Sequence, residues 1–410
     1  MTAIRPEVSP EEVGLDSRRL ERLSRHLRKY VDEGRRPGTL TVISRGGRIA
    51  YVDAIGHRDL EHGLPVETDT IWRIYSMTKP VTSVAAMMLV EEGALSLSDP
   101  VEKFIPSFAN TRVYRTGPAV APITAPASEQ MLIWHLFTHT SGLSYAFFDA
   151  NPVEQMVRMA GFVLGAPEDF TLTEASDRLA SLPLLFEPGA AWNYSYSVDV
   201  LARVIEVVSG HTLDEFFRER IFEPLGMTDT RHWVPEADRG RLSVLYAPNP
   251  QTGGLSPNLQ ADRLQRERPR LTPGGHGLAS TAADYHRFTQ MLLRRGELDG
   301  VRLLSPRTVD LMTSNHLPDG ADIATYGYPS ILTTRYQGRG FGLGVAPLTD
   351  PVAARSLSSR GEYSWGGAAG TAFWVDPEKE LVVLFFTQVL FSREPLDEEL
   401  RTLVYQALVA

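Results

Sequence analysis

YSMTKPV, residues 75–81, sets Ser76 three positions ahead of Lys79, directly before the apolar run VTSVAAMMLV. Pro80 is tolerated in a helix only within the first turn, so a helix begins near Ser76. Gly93 is a natural stop for it. Residues three apart share a helix face, which brings the Lys79 ammonium within reach of the Ser76 hydroxyl. Free N–H groups at a helix start also favour a negative oxygen forming beside the serine. A lysine removed from water loses its proton more readily and then serves as a base. Alone, the same residues fit a plain capped helix start more readily, serine being a common N-cap. The pair therefore needs partners elsewhere in the chain.

Outward from this stretch, strands concentrate at both ends of the chain. Asp16 or Ser17 can cap a helix with Leu20, Leu23, Leu27 and Val31 on one face, stopped by Gly34 and Pro37. TLTVIS and RIAYVDAIG follow, joined across Arg45-Gly46-Gly47 as a hairpin. TAFWVD and ELVVLFFTQ flank Pro377-Glu378-Lys379 as a second hairpin, and a last amphipathic helix carries Leu396, Leu400, Leu403, Val404 and Leu408. This predicts an α/β (α+β) chain in which residues 1–80 and 320–410 form one part with an antiparallel sheet. Residues 81–319 form a mainly helical part with long loops, and the site lies between the two. Residues 108–130 and 246–276 read as irregular, either as walls of a binding site or as surface decoration.

Composition removes several function classes. Of 410 residues 43% are hydrophobic and 22% charged, as in an ordinary soluble globular protein. The net charge of −9 and the scattered basic residues, only four of them lysine, argue against a nucleic-acid surface. With no cysteine, disulfides, thiol catalysis and cysteine-ligated metal are excluded. The first residues lack an apolar leader core and no apolar run is long enough for a bilayer, so a soluble cytoplasmic protein without a membrane partner is expected.

Two further stretches bear on the Ser76–Lys79 pair. FEPGAAWNYSYSVDVLARVIEVVSG, residues 186–210, places Tyr194 in a loop just before a helix. EYSWGGAAGTAFWVDP, residues 362–377, is glycine-rich at a strand entry, where backbone can approach a ligand closely. An N–H there, such as that of Ala368, can join the Ser76 N–H around an oxyanion. Ser76-x-x-Lys79, Tyr194-Ser195-Tyr196 and Trp365-Gly366-Gly367, in this order, resemble the serine β-lactamase and penicillin-binding-protein superfamily. LVEEGALSLSDPV, HLFTHTSGL, FEPLGMTDT and GGHGLASTAADYHRF are similar to it as well, so the likeness runs from residue 10 to 405. Within the superfamily the chain looks most like the class C β-lactamase-like carboxylesterases called family VIII, which commonly carry Trp-x-Gly where relatives have Lys-Thr-Gly. The resemblance implies a β-lactamase/D,D-peptidase-like fold and Ser76 as nucleophile. It also implies Lys79 and Tyr194 sharing the general-base role, with the Ser76 and Ala368 N–H groups as oxyanion hole.

Two departures from the β-lactamase pattern concern the substrate. Trp365 stands where a lysine would meet a β-lactam carboxylate, a charge-assisted contact of about 1.5–3 kcal/mol. Tyr196 replaces an asparagine whose amide would bind an acylamino group. Both favour a short-chain or small neutral ester, hydrolysed through an acyl-enzyme on Ser76. The substrate-binding candidates are Trp365, Gly366, Gly367, Tyr196, Phe147 and Phe148, with Met156 and Trp233 as further pocket aromatics or flexible residues. β-Lactamase or D,D-peptidase activity, acyl transfer to an alcohol, and a non-catalytic penicillin-binding-like protein stay open as alternatives. His135 and His139 lack the glutamate and third ligand of a metal site and read as structural. No Gly-x-Ser-x-Gly elbow, Walker A or dinucleotide fingerprint occurs, so no cofactor is expected.

Overall fold

The structure, a computed structural model, describes residues 3–147, 150–163, 169–263, 265–329, 333–392, 394 and 396–409. Its centre is a seven-stranded sheet in which every neighbouring pair is antiparallel. The strands are β1 (Gly38–Arg45), β2 (Arg48–Asp59), β3 (Leu64–Pro65), β4 (Ala346–Pro347), β5 (Tyr363–Gly366), β6 (Ala372–Asp376) and β7 (Leu381–Phe386), in spatial order β4-β5-β6-β7-β1-β2-β3. The two hairpins expected from the termini thus meet at the β7–β1 pairing, where Leu40 faces Phe386 and Ile43 faces Val383.

Strand periodicity divides the side chains between two cores. Ile43, Trp374, Val383 and Phe385 point to one face, where α1 (Ser17–Asp32) and α5 (Leu396–Tyr405) cover them with Leu20, Leu23, Leu27, Leu400 and Val404. Leu40, Val42, Phe373, Leu384 and Phe386 point to the other. Central strands buried on both faces read as near-continuous apolar runs, hence LVVLFF in β7. Asp16 caps α1 by accepting the Arg19 N–H at 3.0 Å. Leu408 lies beyond α5 and bridges to Leu15.

Three other helices matter for the site: α2 (Thr78–Glu91), α3 (Ser197–Ser209) and α4 (Ala282–Leu293). Every α2 residue from Thr78 to Leu89 is buried, so its apolar sequence shows no polar face. Although α4 falls within 81–319, it lies on the sheet: the Tyr285 and Phe373 rings are 5.4 Å apart and His286 Nε2 is 2.8 Å from Ser44 Oγ.

Helix α2 runs on without a break from a 3₁₀ turn over Tyr75–Met77, so the helical stretch opens around Ser76 as the sequence suggested; the turn is entered through Tyr75 at φ +45°, a costly conformation for a bulky residue. The stretches expected to be irregular contain paired segments, Arg112–Thr116 with Ile123–Pro126 and Tyr246–Pro248 with Leu255–Pro257. In the first, Val, Ile and Thr supply strand propensity and Gly117, at φ +97°, allows the reversal. Among the described residues no helix is long and apolar enough to cross a membrane.

Candidate active site

The 3₁₀ turn holds Ser76 half-buried at the mouth of α2, while Lys79, one turn in, is fully buried. Lys79 Nζ lies 3.2 Å from Ser76 Oγ and donates to the Gly275 carbonyl at 2.6 Å. It also stands 4.5 Å above the centre of the Tyr194 ring and 5.4 Å above that of Tyr145. Loss of water pushes the lysine down to about 7, against the opposing pull of Asp199. Burial pushes the Tyr194 phenol far above its ordinary value, although hydrogen bonds with Ser76 and Trp365 work the other way. Near neutral pH Tyr194 is therefore neutral, and Lys79 gives up its proton far more readily than an ordinary lysine.

The sheet supplies the opposite wall. Trp365, on β5, donates Nε1–H to the Tyr194 hydroxyl at 3.1 Å. Tyr336 stacks on the Trp365 ring at 5.8 Å. A Cβ on Gly367 would sit 2.5 Å from the Ile74 carbonyl and 2.2 Å from Thr371 Oγ1, so only glycine lets this strand end press against the nucleophile turn. Among the described residues neither the Ser76 nor the Ala368 N–H donates to another backbone group, leaving both free for a ligand oxygen. One cavity of ≈890 Å³ is lined by Ser76, Tyr194, Trp365, Gly366, Gly367 and Ala368, and Phe147 joins its wall. That volume suits a small organic ligand.

Other candidates fall elsewhere. Tyr196 is buried behind Tyr145, the rings 4.4 Å apart, and does not reach the cavity. Its position at the start of α3 turns it into the core. Met156 is a core residue as well, and Trp233 holds the Arg268 guanidinium 5.0 Å from its ring. Phe148 lies outside the described residues. His135 accepts the Leu132 N–H on Nδ1 at 3.1 Å, and His139 Nδ1 is 3.2 Å from Ser195 Oγ with its ring 4.8 Å from that of Tyr194. Among the described residues no cluster of three metal-ligating side chains forms.

Three participants were not foreseen. Asp199, in the first turn of α3, accepts the Gly275 N–H at 2.9 Å, and burial pushes its carboxyl up despite the nearby lysine. His276 lines the cavity; burial first, then Lys79 and His232, bring it down to about 3, so it is neutral. Tyr145 carries the stack under Phe147 at 4.2 Å. Asp199 was hidden because an acidic residue in the first turn of a helix needs no other explanation. His276 stood in a stretch, GGHGLAS, whose likeness to the superfamily carried no role.

An antiparallel sheet meeting a buried helix that starts at a Ser-x-x-Lys pair is the fold of the serine β-lactamases and penicillin-binding proteins, and the chain is a serine hydrolase of that class. A family model described as beta-lactamase matches residues 23–406, and the chain belongs to that family. Protein Rv1367c of Mycobacterium tuberculosis is 37% identical over 374 residues, 88% of each chain. Esterase EstB of Burkholderia gladioli is 33% identical over 414 residues, 97% of this chain and 98% of EstB. Among solved structures, EstCE1, a hydrolase with promiscuous acyltransferase activity, matches with a TM-score of 0.79 at 27% identity, over 95% of this chain and 99% of EstCE1.

Proposed function

We propose that the chain is a carboxylesterase of the family VIII type, hydrolysing short-chain or small neutral carboxylic esters through an acyl-enzyme on Ser76. The observation that carries this is the convergence of Ser76, Lys79 and Tyr194, closed by the Trp365 indole on the Tyr194 hydroxyl where a lysine would invite a carboxylate. Ser76 Oγ attacks the ester carbonyl while Lys79, 3.2 Å away, and Tyr194 share the taking of its proton. The N–H groups of Ser76 and Ala368 hold the oxyanion. Collapse expels the alcohol, which takes the proton back, and water repeats the sequence on the acyl-enzyme.

The shifts of Lys79 and Tyr194 support the lysine as the readier base and the tyrosine as a neutral hydroxyl beside the nucleophile. The groups come from both parts of the expected division: Tyr194 from 81–319, and Trp365 and Ala368 from 320–410, with Ser76–Lys79 at their junction. The expected partner is a small-molecule ester rather than nucleic acid or membrane, and the expected compartment is the cytoplasm.

Acyl transfer to an alcohol is the second reading, supported by the likeness to EstCE1. Comparing p-nitrophenyl butyrate with a chromogenic cephalosporin, for wild type and Ser76→Ala, tests the main reading. Ester turnover that Ser76→Ala loses is expected; no turnover, or full turnover by the variant, would sink it. Adding a second alcohol and looking for its ester tests the transfer reading.

A further inference from the structure

Phe391 follows β7 on the sheet side of the cleft, and Phe147 lies in the loop after residue 141 on the other. Both line the cavity, and their rings meet edge to face at 5.9 Å. On one side, Phe147 stacks on Tyr145, whose ring centre is 5.2 Å from that of Tyr194. On the other, the Phe391 N–H donates to the Ala368 carbonyl at 2.9 Å. The pair therefore stands one ring layer from the proton-handling groups and one peptide from the expected oxyanion donor.

Two features set Phe391 apart from an ordinary core phenylalanine. Its residue surface is 47% exposed, and its backbone is left-handed at φ +53°, which is costly for a bulky side chain. A strained backbone that holds a large ring open to a cavity, against a partner from the opposite wall, points to contact with whatever occupies that cavity.

We propose that Phe391, with Phe147, bridges the cleft over Ser76 and determines acyl specificity, admitting esters unbranched beside the carbonyl and rejecting branched ones. This rests on the reading of Ser76 as the acylated residue. A ring pair spanning the cavity that Ser76 lines would leave width for a straight chain lying along the cleft, whereas a tertiary carbon would meet the rings.

Phe391→Asn tests it, because asparagine suits the left-handed backbone while removing the ring; Phe391→Ala is the second variant. Two ratios are read. One is kcat/KM for p-nitrophenyl pivalate over p-nitrophenyl butyrate. The other is the rate of Ser76 labelling, followed by mass spectrometry, with a tert-butylphosphonate over an n-butylphosphonate p-nitrophenyl ester. Both ratios should rise about tenfold or more in each variant, the range that room for a methyl or two is worth in an apolar pocket. Phe147→Ala should raise the same ratios without adding to the Phe391 effect, since either change opens the same bridge. Unchanged ratios, or equal loss with both reagents, would overturn the proposal and mark Phe391 as structural. If wild type hydrolyses no ester, the esterase reading fails and the labelling ratio alone decides this one; equal labelling, or none, overturns it.

Discussion

Replacing Asp199 by asparagine should move the acid limb of the pH–rate profile downward. Lys79 Nζ and Asp199 Oδ1 are both bonded to Gly275, at 2.6 Å to its carbonyl and 2.9 Å from its N–H. The two charges then stand on the order of 6 Å apart, worth roughly 3 kcal/mol at an effective dielectric of about 20, or about 2 pKa units on the lysine. Burial pushes Lys79 down to about 7 and the Asp199 carboxylate resists that fall. Since burial also pushes Asp199 up, part of the pair is uncharged near neutrality and the smaller end of the effect applies. In wild type, kcat/KM should climb with pH through a limb near 7 as Lys79 loses its proton. In Asp199→Asn the ammonium loses its stabilising charge, neutral lysine persists to lower pH, and the limb falls by about 1–2 units.

The assay is kcat/KM for p-nitrophenyl butyrate from roughly pH 4 to 9 at constant ionic strength, read at the isosbestic wavelength so that the product's own ionisation does not enter. Asparagine keeps an oxygen for the Gly275 N–H, so the local fold is preserved. A limb that stays in place or moves upward would refute the reasoning, because the titrating group would then not be a lysine held by Asp199.

Other expectations follow from individual contacts. Gly367→Ala puts a Cβ against the Ile74 carbonyl and Thr371 Oγ1, so the strand end must retreat from Ser76; kcat should drop by about 100-fold with KM little changed, measured on the same ester. Trp365→Lys returns a cation to the cleft and removes the indole donor to Tyr194. Ester kcat/KM should fall by about tenfold or less, the worth of one hydrogen bond, while KM for a chromogenic cephalosporin should fall. Glu362, fully buried, would be raised by burial, but Arg339 and Arg401 outweigh this and bring it down to about 2. Its folded value lies below its unfolded one, so its contribution is full above the ordinary carboxylate range and lost as pH falls towards 2. Glu362→Gln should cost about 3–5 kcal/mol in urea unfolding at pH 7, with a gap to wild type that narrows in acid.

The terminal strands and both hairpins were legible in the chain, because period-two alternation and glycine or proline turns are local properties. So was the Ser76–Lys79 contact, which helix pitch alone imposes on residues three apart. The buried hydrogen bond from Trp365 to Tyr194 was not legible, though both residues were singled out, since 171 positions separate them and only sheet and helix packing joins them. Tyr196 shows the converse: its motif position suggested the cavity, but the turn into α3 rotates it into the core. The short pairings at 112–126 and 246–257 were not legible either, because strands of three to five residues rest on partners more than on propensity.

By itself, then, the sequence determined the elements of this protein and the chemistry they carry: an antiparallel sheet built from both ends, a helix opening on a serine–lysine pair, a tyrosine, and a tryptophan in place of a cation. Tertiary structure alone decided which neighbours tune that chemistry. Asp199 and the lysine meet at Gly275, and Phe391 meets Phe147 across the cleft. The physical reason is range: periodicity, caps and turns act within a few residues, whereas desolvation and charge coupling depend on what the fold brings close and dries.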